Sequence, residues 1–247
     1  MNRLGDELLK EEEQKEKDNI VFLDIETGRG NLNKLRPIVE TKIRNKISNE
    51  KFVPRDNWKP ETNKRKAEEF EENKEIKIAS EVNKIIKGDA KSPFYNRIVL
   101  AAIGDINFNI EQIDELQATE EGMIRWISDK INKKKVVVFS SFDMKTIELK
   151  AIKYRTKLNH YGIVDLSKIA TYWPMIGPKN VISQDVLAVL LDIRPNRFVN
   201  LIKPSEIGEA YELENMHLGD KDLIKMIKKY NEDDVRVLIE LYKIIYR

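Results

Sequence analysis

The sequence contains no cysteine and only two histidines, His160 and His217, among its 247 residues. The absence of cysteine excludes a disulfide framework, a cysteine nucleophile and any thiolate metal site. The scarcity of histidine argues against a multi-histidine metal centre. A metal ion in this protein would therefore have oxygen ligands, which favours Mg²⁺ or Mn²⁺.

Long apolar runs and an excess of one charge are also missing. No segment approaches the ~20 apolar residues that a membrane span needs, and the acidic, polar start of the chain is unlike a signal peptide. We therefore expect a soluble, cytoplasmic protein without a membrane partner. Because 44 Lys and Arg stand against 42 Asp and Glu, global charge does not indicate a nucleic-acid partner, and that argument must be local.

The start of the chain changes character at residue 19. Residues 1–18 are mostly charged and are predicted to form a frayed helix or a disordered tail. A short apolar, β-branched run at 20–25 then predicts a buried strand that Gly28 and Gly30 end. Residues 19–247 are predicted to form one domain with an insertion of loops and helices at about 29–95.

The rest of the chain alternates between strand-like and helix-like patterns. Strands are predicted at 96–104, 106–110 and 136–140, a short strand or a turn at 162–166, and helices at 119–133, 144–157, 181–193 and 221–245. Adjacent strands followed by helices with further strands between them predict an α/β fold, a mixed sheet flanked by helices.

Two acidic residues, Asp24 and Glu26, lie two apart on the first predicted strand. The period of two places both side chains on one face. Burying two unpaired carboxylates costs several kcal/mol, so we expect a cation between them. Solvated acids at a strand end are the alternative.

Two further acidic positions occur much later in the chain. Asp143 follows the apolar run at 136–140 and opens a predicted helix, where an ordinary helix cap is the alternative. Tyr230 and Asp234 are four residues apart on the last predicted helix and therefore share a face; a solvated acidic stretch beside a core tyrosine is the alternative. Finding all of these pieces in one chain favours a carboxylate metal site.

These segments resemble the three motifs of the DEDD exonuclease superfamily, whose fold is ribonuclease H-like. The matching segments are DIETG at 24–28, the strand followed by Phe-Asp143, and YNEDD at 230–234. The tyrosine variant of that superfamily has the pattern Y-x-x-x-D in its last motif, as here. The histidine variant has histidine where this chain has Lys229. The resemblance covers residues 20–28 and 96–245.

The resemblance implies a 3′→5′ exonuclease that uses two ions, Mg²⁺ or Mn²⁺, to release mononucleotides from single-stranded DNA. It implies that Asp24, Glu26 and Asp234 hold one ion. Asp24 would bridge to the second ion, which Asp143 would contact directly or through water. Tyr230 would orient the attacking water and help to deprotonate it.

The resemblance also implies contacts with the substrate strand. The backbone at Thr27 and Gly28 would approach the terminal nucleotide, since glycine permits close approach. Many members of the superfamily have an asparagine shortly before the second-motif aspartate, where this chain has Ser140 and Ser141. Phe142 is a candidate to stack on a base, with ordinary core packing as the alternative.

The insertion sorts its charges into blocks. Residues 29–66 carry a net charge of +8 and residues 67–81 carry −4, and 66–88 is the most helical part. Residues 53–74 resemble a segment of phage-type and related bacterial exonucleases. The basic block is a candidate to hold a single strand, and Trp58 within it to stack on a base. The alternatives are a solvated charged surface and, for Trp58, an apolar anchor.

Three other functions compete with a DNA exonuclease. The first is an exoribonuclease with the same chemistry, because 2′-hydroxyl recognition depends on pocket details. The second is a non-catalytic nucleic-acid-binding module that retains the fold. The third is a proofreading subunit in replication or repair, whose polymerase partner would be a separate chain.

Overall fold

The computed structural model describes residues 19–87, 92–170, 183–193 and 204–246. The chain divides into two compact units. The first, called the sheet unit, consists of Met1–Gly28 and Arg97–Arg247, and the second, called the insertion unit, consists of Arg29–Asn96. The tail predicted at residues 1–18 lies outside the described residues.

Five strands form one sheet in the order β3-β2-β1-β4-β5. The strands are β1 (Ile20–Arg29), β2 (Asn96–Gly104), β3 (Ile110–Asp114), β4 (Lys135–Val138) and β5 (Gly162–Asp165). β4 pairs in parallel with both β1 and β5, whereas β3 is antiparallel to β2. The predicted mixed sheet flanked by helices is therefore confirmed.

Eight helices accompany the sheet in the described parts of the chain. They are α1 (Arg36–Ser48), α2 (Pro60–Ile86), α3 (Glu120–Ile131), α4 (Ser141–Lys153), α5 (Leu166–Ala170), α6 (Gln184–Leu190), α7 (Pro204–Asn215) and α8 (Lys221–Ile245). A single 3-10 turn at Asn33–Leu35 precedes α1. None of these described helices combines the length and apolar character that a bilayer crossing requires.

The central strand β1 packs apolar residues on both of its faces, which explains its continuous apolar sequence. Val21 and Leu23 pack in the cluster that α3 and α4 cover. Ile20 and Phe22 pack in the opposite cluster, with residues of α6 and α8. The same alternation turns the side chains of the next even-numbered residues toward the face that α8 covers.

The insertion unit has its own small core between α1 and α2. Ile47 of α1 packs with Ile78, Val82 and Ile86 of α2. Arg44 forms an ion pair with Glu75, so the basic and acidic blocks meet in this unit. Exposed pairs of this kind contribute about 1 kcal/mol or less, so the apolar contacts provide most of the stabilisation.

The predicted strand at 106–110 is wrong. Residues 105–109 form a turn, and the strand begins only at Ile110. The carboxylate of Asp105 accepts hydrogen bonds from the backbone N–H groups of Asn107 and Asn109. Phe108 takes a positive φ of 65°. The local aspartate turn therefore replaces the expected ladder pairing.

Other element boundaries also differ from the sequence prediction. β1 extends beyond the apolar run at 20–25 and ends at Arg29, between the two glycines that were predicted to end it. The helix predicted at 144–157 is α4, which begins at Ser141 and ends at Lys153. The helix predicted at 181–193 is the shorter α6, and residues 181–182 lie outside the described part of the chain.

Gly28 lies where β1 passes close to α7. A Cβ atom at this position would lie 3.0 Å from Cα of Gly208 in α7 and 3.0 Å from a methyl carbon of Val99 in β2. The backbone of α7 cannot rotate away as a side chain can. This packing accounts for the glycine without any ligand.

We predict that Gly28→Ala lowers the free energy of unfolding by about 1–3 kcal/mol, because α7 must shift to admit the methyl group. The measurement is urea unfolding followed by circular dichroism. Gly162→Ala in β5 is the matched control, since nothing lies within 4 Å of a Cβ there, and we expect its effect to stay within about 0.5 kcal/mol. Equal effects of the two substitutions would contradict the packing argument.

Candidate active site

The centre of the site is a group of three carboxylates from two elements. Asp24 and Glu26 project from the face of β1 that α8 covers, and Asp234 projects from α8. One carboxylate oxygen of each lies within 4.8 Å of the other two. Asp234 is only 7% exposed, whereas Asp24 and Glu26 are half-buried.

Asp234 reaches β1 because of the amphipathic pattern of α8. Buried positions recur every three or four residues along this helix, as expected for a helix with one face on the core. They include Ile224, Ile227, Asn231, Asp234, Leu238 and Leu241. Two of them, Asn231 and Asp234, are polar. The polar interruption of the buried stripe therefore lies against the two acidic positions of β1.

Asp143 joins the group from the first turn of α4. The cap of this helix is Ser140, whose hydroxyl accepts a hydrogen bond from the N–H of Phe142 at 3.2 Å, so the helix-cap alternative for Asp143 is wrong. Asp143 is buried, and its charge raises the pKa of both Asp24 and Glu26. We call Asp24, Glu26, Asp143 and Asp234 the carboxylate cluster.

Three members of the carboxylate cluster, Asp24, Glu26 and Asp143, have raised pKa values. Burial is the main cause that raises the pKa of Asp24 and Glu26 well above their ordinary values, followed by the charges of Asp234 and Asp143. Burial, Asp165 and Asp234 together raise the pKa of Asp143 to about 8. A divalent cation would remove this repulsion, and an all-oxygen donor set fits Mg²⁺ or Mn²⁺.

Tyr230 lies one helical turn before Asp234, with its hydroxyl 3.5 Å from Oδ2 of Asp185 in α6. Burial, followed by the charges of Asp234 and Asp185, raises the pKa of Tyr230. The phenol therefore keeps its proton at neutral pH and acts as a hydrogen-bond donor. A protonated phenol can orient a water molecule, and the expected help in deprotonation stays a prediction.

Three residues of the site were not predicted from the sequence: Asp165, Asp185 and Asn231. Oδ2 of Asp165 accepts a hydrogen bond from the N–H of Ser141 at 3.0 Å and so anchors the start of α4. Asp185 contributes to the raised pKa of Glu26. Nδ2 of Asn231 donates to Oδ2 of Asp24 at 2.6 Å. The sequence contained one signal for Asn231, because this residue is polar and lies on the otherwise apolar face of the last predicted helix.

The residues predicted to contact the substrate lie in different parts of the structure. Thr27 and Gly28 follow Glu26 on β1, and Phe142 is half-buried at the start of α4. Ser140 and Ser141 have the helix-start roles described above. In the insertion unit, the guanidinium of Arg55 lies 4.9 Å from the centre of the half-buried Trp58 ring. Contacts of all six residues with nucleic acid stay predictions.

Comparison with known proteins identifies a family and a fold. The family model of the RNase_H superfamily matches residues 92–246, a range that includes Asp143 and Asp234 and begins after β1. The structure of the family B DNA polymerase from the hyperthermophilic archaeon Pyrobaculum calidifontis is similar over 92% of this chain, with a TM-score of 0.52 and 15% sequence identity.

That similarity covers 24% of the polymerase chain, so this chain spans about a quarter of the polymerase's length. At 15% identity the likeness shows a shared fold alone. No curated protein matches the sequence.

We predict that Asp143→Asn stabilises the metal-free protein at alkaline pH. A carboxyl group whose pKa is higher in the folded than in the unfolded state favours folding less as pH rises between the two values. For Asp143 these values are about 8 when folded and about 4 when unfolded. In EDTA, the variant's gain in free energy of unfolding should grow from near zero at about pH 4 to a few kcal/mol at about pH 8, with about 5 kcal/mol as the upper bound that these two pKa values set for an isolated group.

The measurement is urea unfolding of both proteins across this pH range. Saturating Mg²⁺ should stabilise the wild type more than the variant, because the Asp143 carboxylate would help to hold an ion in the folded state and the asparagine would hold it less well. A difference between the proteins that does not change with pH would contradict the proposed electrostatics.

Proposed function

Because the chain belongs to the RNase H superfamily, we propose that it is a metal-dependent 3′→5′ exonuclease of the tyrosine-containing DEDD type. Its proposed reaction is hydrolysis of the terminal phosphodiester of single-stranded DNA, with release of mononucleotides. The superfamily fold indicates a nuclease. The convergence of Asp24, Glu26 and Asp234 within 4.8 Å is the observation that carries the finer assignment.

The carboxylate cluster supports this proposal through its chemistry. Asp24, Glu26 and Asp234 would hold one Mg²⁺ or Mn²⁺, and Asp24 with Asp143 would hold a second. Two bound divalent ions supply an activated water and stabilise the charge on the leaving oxygen. A non-catalytic binding module would gain nothing from a buried acidic cluster, because metal-free carboxylates repel phosphates.

Tyr230 has a different proposed role from the carboxylates, because its hydroxyl would donate a hydrogen bond. Its phenol keeps its proton, since burial and the nearby carboxylates raise its pKa. A protonated hydroxyl can donate a hydrogen bond to the attacking water or to a phosphate oxygen and hold it in line for reaction. Asp185, 3.5 Å from that hydroxyl, limits the directions in which the phenol can point.

The basic block of the sequence lies in the insertion unit. Residues 29–66 carry a net charge of +8, and we propose that this block contacts the phosphates of the single strand. Part of the charge is already paired, as in the Arg44–Glu75 contact. The salt dependence of single-strand binding would therefore indicate fewer phosphate contacts than there are basic residues in this block.

We predict that the protein shortens a 5′-labelled single strand one nucleotide at a time in Mg²⁺ or Mn²⁺ and stops in EDTA. Asp24→Ala should abolish turnover, because it removes a carboxylate that both ions would share. Asp129→Ala is the matched control, since Asp129 is an exposed carboxylate of α3, and it should cleave at the wild-type rate. Matched DNA and RNA strands test the substrate preference, with DNA expected to be cleaved faster.

Cleavage that persists in EDTA would overturn the proposed mechanism. Release of mononucleotides from the 5′ end would overturn the polarity. Faster cleavage of the RNA strand would identify an exoribonuclease instead.

We predict that Tyr230→Phe lowers kcat by up to about 100-fold, because the substrate and water lose one orienting hydrogen bond. The affinity for Mn²⁺, measured by calorimetry without nucleic acid, should stay within about twofold, since no metal-binding oxygen is removed. Tyr161→Phe is the matched control, because Tyr161 is 71% exposed. Loss of Mn²⁺ binding in Tyr230→Phe would instead place the phenol among the groups that hold the ion.

A further inference from the structure

The surroundings of Asp24 include a polar side chain that no motif explains. Asn231 is 0% exposed, although it lies on the face of α8 where most buried positions are apolar. A buried amide with unsatisfied groups is costly, so its partners define its role. Its Nδ2 donates to Oδ2 of Asp24 at 2.6 Å, across 207 positions of sequence.

The other half of the Asn231 amide is also held. Nε2 of Gln112 in β3 donates to Oδ1 of Asn231 at 3.3 Å and to the backbone oxygen of Lys228 at 2.7 Å. The two hydrogens of one Gln112 nitrogen therefore bind both a turn of α8 and the side chain of Asn231. If the Asn231 amide were reversed, an oxygen would face the Asp24 carboxylate and the donation from Gln112 would be lost.

The chemical type of this donor matters for Asp24. The carboxylates around Asp24 repel it, so an unsupported side chain would rotate away from them. A lysine or arginine would hold it, but its charge would compete with a metal ion for the same oxygens. A neutral amide fixes one oxygen of Asp24 and leaves the negative charge available.

We propose that Asn231, held by Gln112, is a positioning residue that orients Asp24 for a divalent cation. This inference rests on the proposed function, in that Asp24 is taken as a residue that holds the ion. Neither amide touches the substrate or the ion in this assignment. Groups that orient a metal-binding side chain typically change metal affinity by about 10–100-fold when they are removed.

The test measures Mn²⁺ binding to the full chain by calorimetry, without nucleic acid. Asn231→Leu removes the amide, keeps the number and branching of the side-chain heavy atoms, and should weaken Mn²⁺ binding by about 10–100-fold. Gln112→Met leaves Asn231 in place without its anchor and should weaken binding by a smaller factor. The double variant should bind Mn²⁺ like Asn231→Leu alone, because the proposal assigns the effect of Gln112 on the ion to its bond with Asn231 and not to its bond with the backbone oxygen of Lys228.

Gln117→Met is the matched control for the loss of a glutamine amide. The side-chain oxygen of Gln117 accepts a hydrogen bond from the N–H of Asp114, the residue that ends β3. The control should alter thermal stability in EDTA without changing the affinity for Mn²⁺. A general loss of structure would lower stability and affinity together in the control as well as in the other variants.

The proposal is overturned if Asn231→Leu and Gln112→Met both bind Mn²⁺ within twofold of the wild type, or if their effects in the double variant multiply. If Asn231→Leu does not fold, Gln112→Met decides the result, since Gln112 is only half-buried. Strand cleavage by the wild type separates the two hypotheses. If Mn²⁺ binding depends on Asn231 but the wild type does not cleave a single strand, only the proposed exonuclease function is overturned. If the wild type cleaves and both variants bind Mn²⁺ with unchanged affinity, only the positioning role of Asn231 is overturned.

Discussion

The mutual repulsion of buried carboxylates is the constraint on which this site depends. Asp24, Glu26 and Asp234 converge within 4.8 Å, and Asp143 adds its charge from the start of α4. Each of these groups would be more stable in water, so the rest of the fold must supply the free energy that keeps them together. The apolar clusters on the two faces of the sheet provide it.

The arrangement of the sheet explains why the cost is tolerated at this place. β1 is central and has β2 on one side and β4 on the other, so its backbone position is fixed by both neighbours. Phe22 and the apolar residues of α8 press the helix onto the same face that carries Asp24 and Glu26. Both polar and apolar positions of α8 thus contact one face of β1, and packing of the apolar ones brings Asp234 to the acids.

Polar support around the cluster comes in part from amides. Nδ2 of Asn231 binds Asp24, and Nε2 of Gln184 donates to the backbone oxygen of Asp234 at 2.7 Å. Such groups satisfy oxygens without neutralising them, which preserves the affinity of the cluster for a cation. The same protein therefore combines a strongly anionic site with neutral groups that hold its geometry.

Much of the fold and the acidic members of the site could be predicted from the sequence, because periodicity is a local property. Alternation along 20–26 places Asp24 and Glu26 on one face, and the helix predicted at 221–245 is observed with those bounds. The turn at Asp105 replaced the strand expected at 106–110, because its side chain competes for the backbone. α7 was missed because its helix depends on packing of Ile207 and Tyr211 against β2.

The sequence by itself determined which residues can share a face: the pair on β1, and Tyr230 with Asp234 on α8. Only the tertiary structure decided that these faces meet, that Asp143 lies beside them, and that Asn231 contacts Asp24 across 207 positions. The physical reason is that side-chain direction follows from backbone periodicity, whereas distances between elements follow from strand order and the packing of the whole core.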